Sequence, residues 1–315
     1  MPSLGIVIPV YNEGEQILKT LDALYRVISN EGGKSVSRLH WAIHLIYDTD
    51  DDTTLPPVKR ELARYPGLTL LKNKYGRGVA QALKTGLEEA KEDLILVTMA
   101  DGSDEYSIIP QMLKLADEGA DIVCPSRYMK GGKLEGAPFI KGNLSRLAGL
   151  GTYFLSGLKI HDISNSYRLY NRKVLEGMKI ESEAGFAVAT EITVKAYLKG
   201  FKIVELPTTW KERTHGKSNF KTFKWLPHYL KWYLKIFYAR PNVGTALACP
   251  EFHRRVAVRV AADSDLPEIT SLAKKYALDS EDMRAREFIV AEEDGKIVGI
   301  ARLLQHPDCD ELCSL

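Results

Sequence analysis

The sequence has 315 residues, of which 45% are hydrophobic and 27% charged, and its formal net charge is +2. This composition excludes a disordered chain, and a charge so close to zero predicts no nucleic-acid partner. Four irregularly placed cysteines, Cys124, Cys249, Cys309 and Cys313, indicate reduced thiols and a cytoplasmic location rather than disulfides or a zinc site. We find no signal peptide and no apolar run of the ~18 residues that a membrane span needs.

The first half of the chain alternates short apolar runs with amphipathic stretches. Residues 4–10 predict a buried strand, and Ile17, Leu21, Leu24 and Ile28 then recur at helical spacing. The unit repeats with predicted strands at residues 41–46, 68–71, 94–98 and 121–124. Strands that alternate with helices favour an α/β fold with a mostly parallel sheet, in which ligands bind beyond the carboxyl ends of the strands.

Asp101 follows one of these strands, in the segment Met-Ala-Asp-Gly-Ser-Asp of residues 99–104. Carboxylates at such a place can hold Mg²⁺ or Mn²⁺ that also grips a diphosphate, because hard cations prefer oxygen ligands. Ser103 and Asp104 are the neighbouring candidate ligands. The alternative is a solvated turn that caps the next helix, since Asp, Gly and Ser favour turns.

Two further polar segments follow predicted strands. Asp48 could accept a hydrogen bond from the imide N–H of uracil or guanine, and the alternative is an ordinary charged loop. Residues 73–78, which include Asn73 and Gly78, precede a helix whose N-terminus could face an anion. Their glycine spacing excludes a dinucleotide-binding fingerprint.

In this order along the chain, the motifs resemble those of the family 2 glycosyltransferases. Residues 7–13, Val-Ile-Pro-Val-Tyr-Asn-Glu, resemble the opening strand and loop of that family. The resemblance continues through residues 48–54, 73–82, Asp101, 126–132, 162–168 and 212–218. It covers roughly residues 3–240 and is nearest to the dolichyl- or polyprenyl-phosphate mannose synthase branch. It implies one Rossmann-like nucleotide-sugar-binding domain with helices on both faces of the sheet.

The resemblance also implies roles for individual residues. The positions it gives to the nucleotide-sugar donor are Pro9, Tyr11, Glu13, Asp48, Asn73 and Gly78. It assigns Asp101 to the metal, and Arg127, Arg213 and Lys217 to the phosphates of donor and acceptor. An arginine fork suits this work because it pairs bidentately with phosphate oxygens.

Three positions depart from the family pattern. The family's paired aspartate after the second strand is Tyr47, which leaves only Asp48. The first acid of its metal motif is Met99, so Asp101 must act with Ser103, Asp104 or water. A second phosphate-binding arginine is replaced by Lys141. These departures affect the identity of the donor and the metal affinity more than the class of reaction.

The family inverts the anomeric centre by one in-line displacement from a metal-bound diphosphate. A polyprenyl-phosphate acceptor is already anionic and needs no general base, whereas a polysaccharide or glycolipid hydroxyl needs a carboxylate to take its proton. Glu191 and Asp162 are the candidate bases, with a surface position and a helix cap as their alternatives. A third hypothesis, motivated by Met99, is a nucleotide-sugar-binding module without turnover.

Residues 211–240 hold eight Lys or Arg and one acid, Glu212, interleaved with aromatic residues that include Trp225, Tyr229, Trp232, Tyr233, Phe237 and Tyr238. Residues 220–240 predict a basic aromatic helix that begins near Pro227, with Leu226, Leu230, Tyr233 and Phe237 on one stripe. Such a helix suits a membrane interface, which predicts a peripheral protein on the cytosolic face. The alternative is a helix packed on the domain with a solvated basic face.

We divide the chain into a glycosyltransferase domain (1–219), this helix (220–240), a linker (241–255) and a C-terminal segment (256–315). The last segment resembles the start of a GNAT-type acetyltransferase, with a first strand at 256–260 and a hairpin through residues 293–295. The Gly-rich loop that would hold the pyrophosphate of coenzyme A is absent, which predicts no acetyltransferase activity and indicates a truncated or split fusion protein.

Overall fold

The computed structural model describes residues 2–31, 40–136, 139–183, 185–212, 229–236, 256–275, 284–293, 296–306 and 309–314. The chain divides into two compact units, residues 1–246 and residues 247–315. The first unit is built on a seven-stranded sheet and the second on a four-stranded sheet.

The large sheet is mostly parallel, as predicted. The strands of the first unit are β1 (Ser3–Val10), β2 (His40–Tyr47), β3 (Leu68–Lys72), β4 (Leu94–Val97), β5 (Ile122–Ser126), β6 (Lys133–Glu135), β7 (Arg168–Asn171), β8 (Ile203–Pro207) and β9 (Thr209–Lys211). Their order in the sheet is β3-β2-β1-β4-β7-β5-β8, while β6 and β9 form a separate parallel pair. Strand β7 runs antiparallel to both of its neighbours, which the sequence did not predict.

Helices cover both faces of this sheet. They are α1 (Gln16–Arg26), α2 (Leu55–Arg60), α3 (Val79–Glu89), α4 (Ile109–Asp117), α5 (Phe139–Leu155), α6 (Arg172–Leu175), α7 (Ala187–Leu198) and α8 (residues 229–236). Because side chains of a strand alternate between faces, Ile6 and Ile8 of β1 join one core with Leu21 of α1, and Val7 joins the other core with Leu83 of α3. The Rossmann-like architecture is therefore confirmed.

Helix α8 lies within the predicted basic aromatic segment, but its buried face differs from the predicted apolar stripe. Tyr229, Trp232 and Ile236 are buried, whereas Leu230 and Leu234 are half exposed. The indole N–H of Trp232 lies inward, where it has a hydrogen-bond partner, so this face is the one that packs on the domain. No helix among the described residues is long and apolar enough to cross a membrane.

The second unit is an antiparallel sheet in the order β10-β11-β12-β13. Its strands are β10 (Val256–Val260), β11 (Phe288–Glu293), β12 (Lys296–His306) and β13 (Cys309–Ser314), and α9 (Leu266–Lys275) follows β10. Its core includes Ile269, Phe288 and Val290. The predicted first strand is present, and β11 and β12 pair antiparallel on either side of the predicted hairpin turn, whose residues 294–295 lie outside the described part of the structure.

Candidate active site

The loops that follow β3, β2, β1 and β4 meet at one edge of the sheet. These four strands are adjacent and parallel, so their carboxyl ends point in the same direction. The loops are residues 73–78, 48–54, 11–14 and 98–105. The fold thereby brings most of the predicted donor and metal residues to a common edge.

The loop after β1 is fixed to the loop after β2 by reciprocal hydrogen bonds. The Asn12 N–H donates to Asp52 Oδ1 (3.0 Å), and the Thr53 N–H donates to Asn12 Oδ1 (3.1 Å). The Glu13 N–H donates to Thr54 Oγ1 (3.0 Å). These bonds hold Asn12 in a left-handed conformation, with φ of 55°.

This arrangement orients the predicted nucleoside contacts. Pro9 and Glu13 are partly buried, and Tyr11 is 52% exposed. Asp52, buried behind the loop, also accepts from the Thr54 N–H (2.8 Å). The sequence analysis did not predict that Asp52 holds this loop in place. An Asp side chain that accepts from the backbone N–H two residues later is nevertheless a common turn pattern.

Asp48, Asn73 and Gly78, which are all predicted to bind the donor, are in direct contact with one another. Asp48 Oδ1 accepts from Asn73 Nδ2 (2.8 Å), and Asp48 Oδ2 accepts from the Gly78 N–H (2.9 Å). Gly78 has φ of 126°, which favours glycine, and it is the N-cap of α3. The Asp48 carboxylate thus lies at the positive end of that helix, where its negative charge is stabilised.

Asp101 and Asp104 lie on the tight loop after β4. Asp101 Oδ1 accepts from the Ser103 N–H (3.1 Å). Asp104 Oδ2 accepts from Thr98 Oγ1 (2.7 Å) and from the Met99 N–H (3.1 Å). Burial, and to a smaller extent the charge of Asp101, raises the pKa of the Asp104 carboxyl to about 6.

This loop fits a divalent cation. The Ser103 hydroxyl is buried and has no hydrogen-bond partner, so a third oxygen lies beside the two carboxylates without a protein donor. Within the described ranges, no three His, Cys, Asp or Glu side chains form a complete metal cluster. In many Mg²⁺ sites, however, the protein supplies only one or two carboxylates, and substrate phosphates and water provide the remaining ligands.

Replacement of Asp104 by Asn should stabilise the metal-free protein at about pH 7.5 by roughly 1–3 kcal/mol. The folded-state pKa of about 6 lies above the ordinary value of 3.8, so ionisation of this carboxyl opposes folding. The penalty is absent at low pH, appears as the pH rises from about 4 to about 6, and is constant above it.

Urea unfolding at about pH 7.5 and about pH 3.5, without divalent cations, measures this effect. The exposed Asp117 on α4 provides a control, because Asp117→Asn removes the same charge from solvent. Equal stability of Asp104→Asn and the unmodified protein at about pH 7.5 would contradict the prediction.

Arg127 and Asp162 form a buried, bidentate ion pair. Arg127 Nε donates to Asp162 Oδ2 (2.6 Å), Arg127 Nη2 donates to Oδ1 (2.9 Å), and the Arg127 N–H donates to Oδ2 (3.1 Å). Burial alone would raise the pKa of Asp162, but the charge and hydrogen bonds of Arg127 lower it below its usual value. Asp162 therefore occupies one edge of the Arg127 guanidinium, and the prediction that this arginine binds a phosphate stays a prediction.

Sequence reasoning also missed the residues that support this pair. Glu205 Oε1 accepts from the N–H groups of His161 (2.5 Å) and Asp162 (3.2 Å), and Glu205 Oε2 lies 2.8 Å from His161 Nδ1. The Tyr153 ring of α5 stacks on His161, with centroids 4.2 Å apart. The contacts of Glu205 span more than 40 residues of chain, so no local pattern could reveal them.

Glu191 does not have the surroundings of a general base. It is fully buried on α7, and its carboxylate accepts from the N–H groups of Glu181 and Ser182 (both 2.7 Å) and from Lys195 Nζ (2.6 Å). A base needs access to the acceptor hydroxyl, which this enclosure does not provide. These surroundings contradict the prediction that Glu191 acts as a general base.

Three predicted phosphate contacts have no described side chain. Lys141 lies in α5, at a position whose side chain is outside the described part of the structure. Arg213 and Lys217 both lie outside the described residues.

The loops and the strands around them match a known family model, described as glycosyl transferase family 2, over residues 5–178. That match covers more than half of the chain. The chain belongs to glycosyltransferase family 2.

This family 2 glycosyltransferase is similar in sequence to curated mannosyltransferases of other organisms. The dolichol-phosphate mannosyltransferase of Pyrococcus furiosus is 30% identical over 237 residues, which are 73% of this chain and 64% of the relative. The polyprenol monophosphomannose synthase of Mycolicibacterium smegmatis is 38% identical over 127 residues, which are 39% of this chain and 48% of the relative. The chain therefore spans less than two thirds of the length of each.

Solved structures share the fold of this family 2 glycosyltransferase. A glucosyl-3-phosphoglycerate synthase from Mycobacterium tuberculosis, in complex with Mn²⁺, UDP-glucose and phosphoglyceric acid, superposes with a TM-score of 0.54. The two are 13% identical, and the match covers 76% of this chain and 82% of that one. At this identity the likeness establishes the architecture alone.

Proposed function

We propose that the chain transfers a hexosyl group from a GDP- or UDP-sugar to a polyprenyl or dolichyl phosphate at a membrane surface. The observation that carries this proposal is the convergence of Asp48, Asn73 and Gly78 with Asp101 and Asp104 on adjacent loops of one sheet edge. The names of these two relatives, a dolichol-phosphate mannosyltransferase and a polyprenol monophosphomannose synthase, support the same acceptor class and a hexosyl group.

In this proposal the donor nucleoside lies between the loops after β1 and β2. Each Asp48 oxygen already accepts one protein hydrogen bond and retains a second lone pair, which suits it to the imide N–H of the base. The exposed Tyr11 ring is placed to contact the nucleoside, with Pro9 and Glu13 beside it. We further assign Lys141, Arg213 and Lys217 to the phosphates of donor and acceptor.

Asp101 and Asp104 would hold the divalent cation, Mg²⁺ or Mn²⁺, with Ser103 Oγ beside them. The bound cation would neutralise charge on the departing diphosphate. The Mn²⁺ in the superposed synthase supports a divalent metal for this fold. Binding requires the ionised form of Asp104, and that carboxyl ionises above about pH 6.

The structure favours a phosphate acceptor over a hydroxyl acceptor. The two candidate bases are both buried and engaged, Glu191 with backbone N–H groups and Asp162 with Arg127. A hydroxyl would need one of them to take its proton, whereas an anionic phosphate oxygen can attack without a base. The protein then contributes alignment and charge stabilisation to one in-line, inverting displacement.

Helix α8 supports a location at the membrane surface. The half-exposed Leu230 and Leu234 lie beside the exposed Lys231 and Lys235, while the opposite side of the helix packs on the domain. Apolar side chains flanked by lysine suit the interface of an anionic bilayer. We propose peripheral attachment at the cytosolic face.

A transfer assay tests the proposal. The full chain is mixed with Mn²⁺, radiolabelled GDP-mannose and vesicles that contain polyprenyl phosphate, and label is then extracted with the lipid. We expect label in the lipid phase, and none when the polyprenol lacks its phosphate. Label on a glycolipid hydroxyl instead would favour the second acceptor class, and nucleotide binding without any transfer would favour the non-catalytic binding module.

For residues 256–315 we propose the opening part of a GNAT-type fold. The support is an antiparallel sheet in which α9 separates the first two strands and a hairpin follows.

A further inference from the structure

Residues 179–183 connect three helices of the first unit, and none of the roles described above accounts for them. We propose that this segment, called the brace below, fixes α8 on the acceptor side relative to the donor loop after β3. The inference rests on the proposed function, because the assignment of α8 to the acceptor side comes from that function. The contacts themselves are independent of any substrate.

The brace is held by α7. The buried Glu191 carboxylate accepts from the N–H groups of Glu181 and Ser182, both at 2.7 Å. Lys195 Nζ donates to the Lys179 carbonyl (2.6 Å) and to Glu181 Oε1 (2.7 Å), and it also pairs with Glu191. Charge-assisted bonds around a buried carboxylate form a stiff network, because any missing partner leaves a charge without compensation.

Helix α8 is attached to the brace through one indole and one ammonium group. Trp232 Nε1 donates to Ser182 Oγ (3.0 Å), and Trp232 is only 1% exposed. Lys231 Nζ lies 3.0 Å from Glu181 Oε2. The ammonium groups of Lys195, Lys231 and Lys235 each lie about 5 Å from the centre of the indole ring. Together these contacts determine the rotation of α8 about its axis.

The donor side is attached through the first turn of α3. Gln81 Nε2 donates to the Glu183 carbonyl at 2.6 Å. The same side chain covers Gly78, where a Cβ would come within 2.9 Å of Gln81 Oε1. Since the Gly78 N–H donates to Asp48, a continuous chain of contacts runs from the nucleoside carboxylate to Trp232.

We therefore assign Gln81, Ser182, Glu191 and Trp232 as positioning residues for transfer. They do not touch the reacting atoms. They fix the position of α8, on the acceptor side, relative to the loop after β3, on the donor side. Misplacement of one reactant by about 1 Å is sufficient to lower the rate of an aligned displacement about 100-fold.

Hydrogen exchange of the full chain tests the brace without any substrate. In Gln81→Ala, Ser182→Ala and Trp232→Phe, we expect amides of residues 229–236 to exchange at least ~3-fold faster than in the unmodified chain. The double variant Ser182→Ala/Trp232→Phe should exchange no faster than Trp232→Phe alone, because Trp232→Phe already removes the bond to Ser182. The exposed Gln111 on α4 provides the control Gln111→Ala, which should change nothing.

Unchanged exchange of residues 229–236 in Gln81→Ala would overturn the brace, whatever Trp232→Phe does. Kinetics give the second measurement: the KM for polyprenyl phosphate should rise ~3-fold or more in Gln81→Ala and Ser182→Ala. In Ser182→Ala, which is remote from Gly78, the KM for the donor should stay within about 2-fold. A merely structural role would raise both KM values and lower the melting temperature. Absence of transfer by the unmodified chain would refute the proposed function, while the exchange experiment would still decide the brace.

Discussion

Asp101→Asn should lower the rate of sugar transfer by about 100-fold or more, with little change in the stability of the metal-free protein. The substitution keeps the size of the side chain and its bond to the Ser103 N–H, but it removes one of the two negative charges that would hold the cation. The diphosphate then departs without full charge neutralisation. Initial rates at saturating donor and acceptor, across a series of Mn²⁺ concentrations, measure the loss.

The matched control is Asp117→Asn, an exposed acid on the helix that follows the same loop, which should transfer sugar at the normal rate. If Asp101→Asn retained more than about half of the activity at low Mn²⁺, the cation would be held elsewhere. Recovery at high Mn²⁺ would instead support a ligand role, because weakened binding is restored by mass action.

Asp162→Ala should destabilise the protein by about 3–5 kcal/mol at neutral pH. Arg127 would be left buried without its bidentate partner, and a buried charge without compensation is costly. Urea unfolding measures the loss. The control is Glu118→Ala, which breaks the exposed pair with Lys114 and should change the free energy of unfolding by less than about 1 kcal/mol.

The same pair predicts the dependence on pH. Because the pKa of Asp162 is lowered in the folded state, its contribution is fully present above the ordinary value of 3.8 and is lost as the pH falls through the folded-state value. The difference in stability between Asp162→Ala and the unmodified chain should therefore shrink in acid. If Asp162→Ala changed the free energy of unfolding by less than about 1 kcal/mol at neutral pH, solvent would compensate the charge of Arg127, and the prediction would be contradicted.

The sequence was sufficient to predict the sheet edge and much of what lies on it. Alternating strands and helices require a parallel sheet, and in a parallel sheet the loops carrying Asp48, Asn73 and Asp101 must meet. Hydrophobic periodicity therefore predicted that these loops lie together, and the resemblance to the family supplied their assignment to the donor. The departures at Tyr47 and Met99 were also visible, because they occupy positions within a recognisable motif.

The acceptor side could not be predicted in the same way. Antiparallel β7 lies between β4 and β5, and it carries Arg168 just after the loop that holds Asp162. Asp162 thereby reaches Arg127, 35 residues earlier, by a long-range packing that periodicity does not encode. The sequence around Glu191 is that of an ordinary helix. Only the tertiary structure shows that its carboxylate accepts from N–H groups of the brace.

Thermal unfolding with UDP or GDP, each with and without Mn²⁺, tests the central claim most directly. A ligand that binds only the folded chain stabilises it, by about 2.7 kcal/mol at 100 times its Kd. We expect one nucleotide to raise the melting temperature only when Mn²⁺ is present, and we expect this rise to vanish in Asp101→Asn. No shift with either nucleotide would show that the site with Tyr47 and Met99 holds no donor, and it would contradict the proposed sugar transfer.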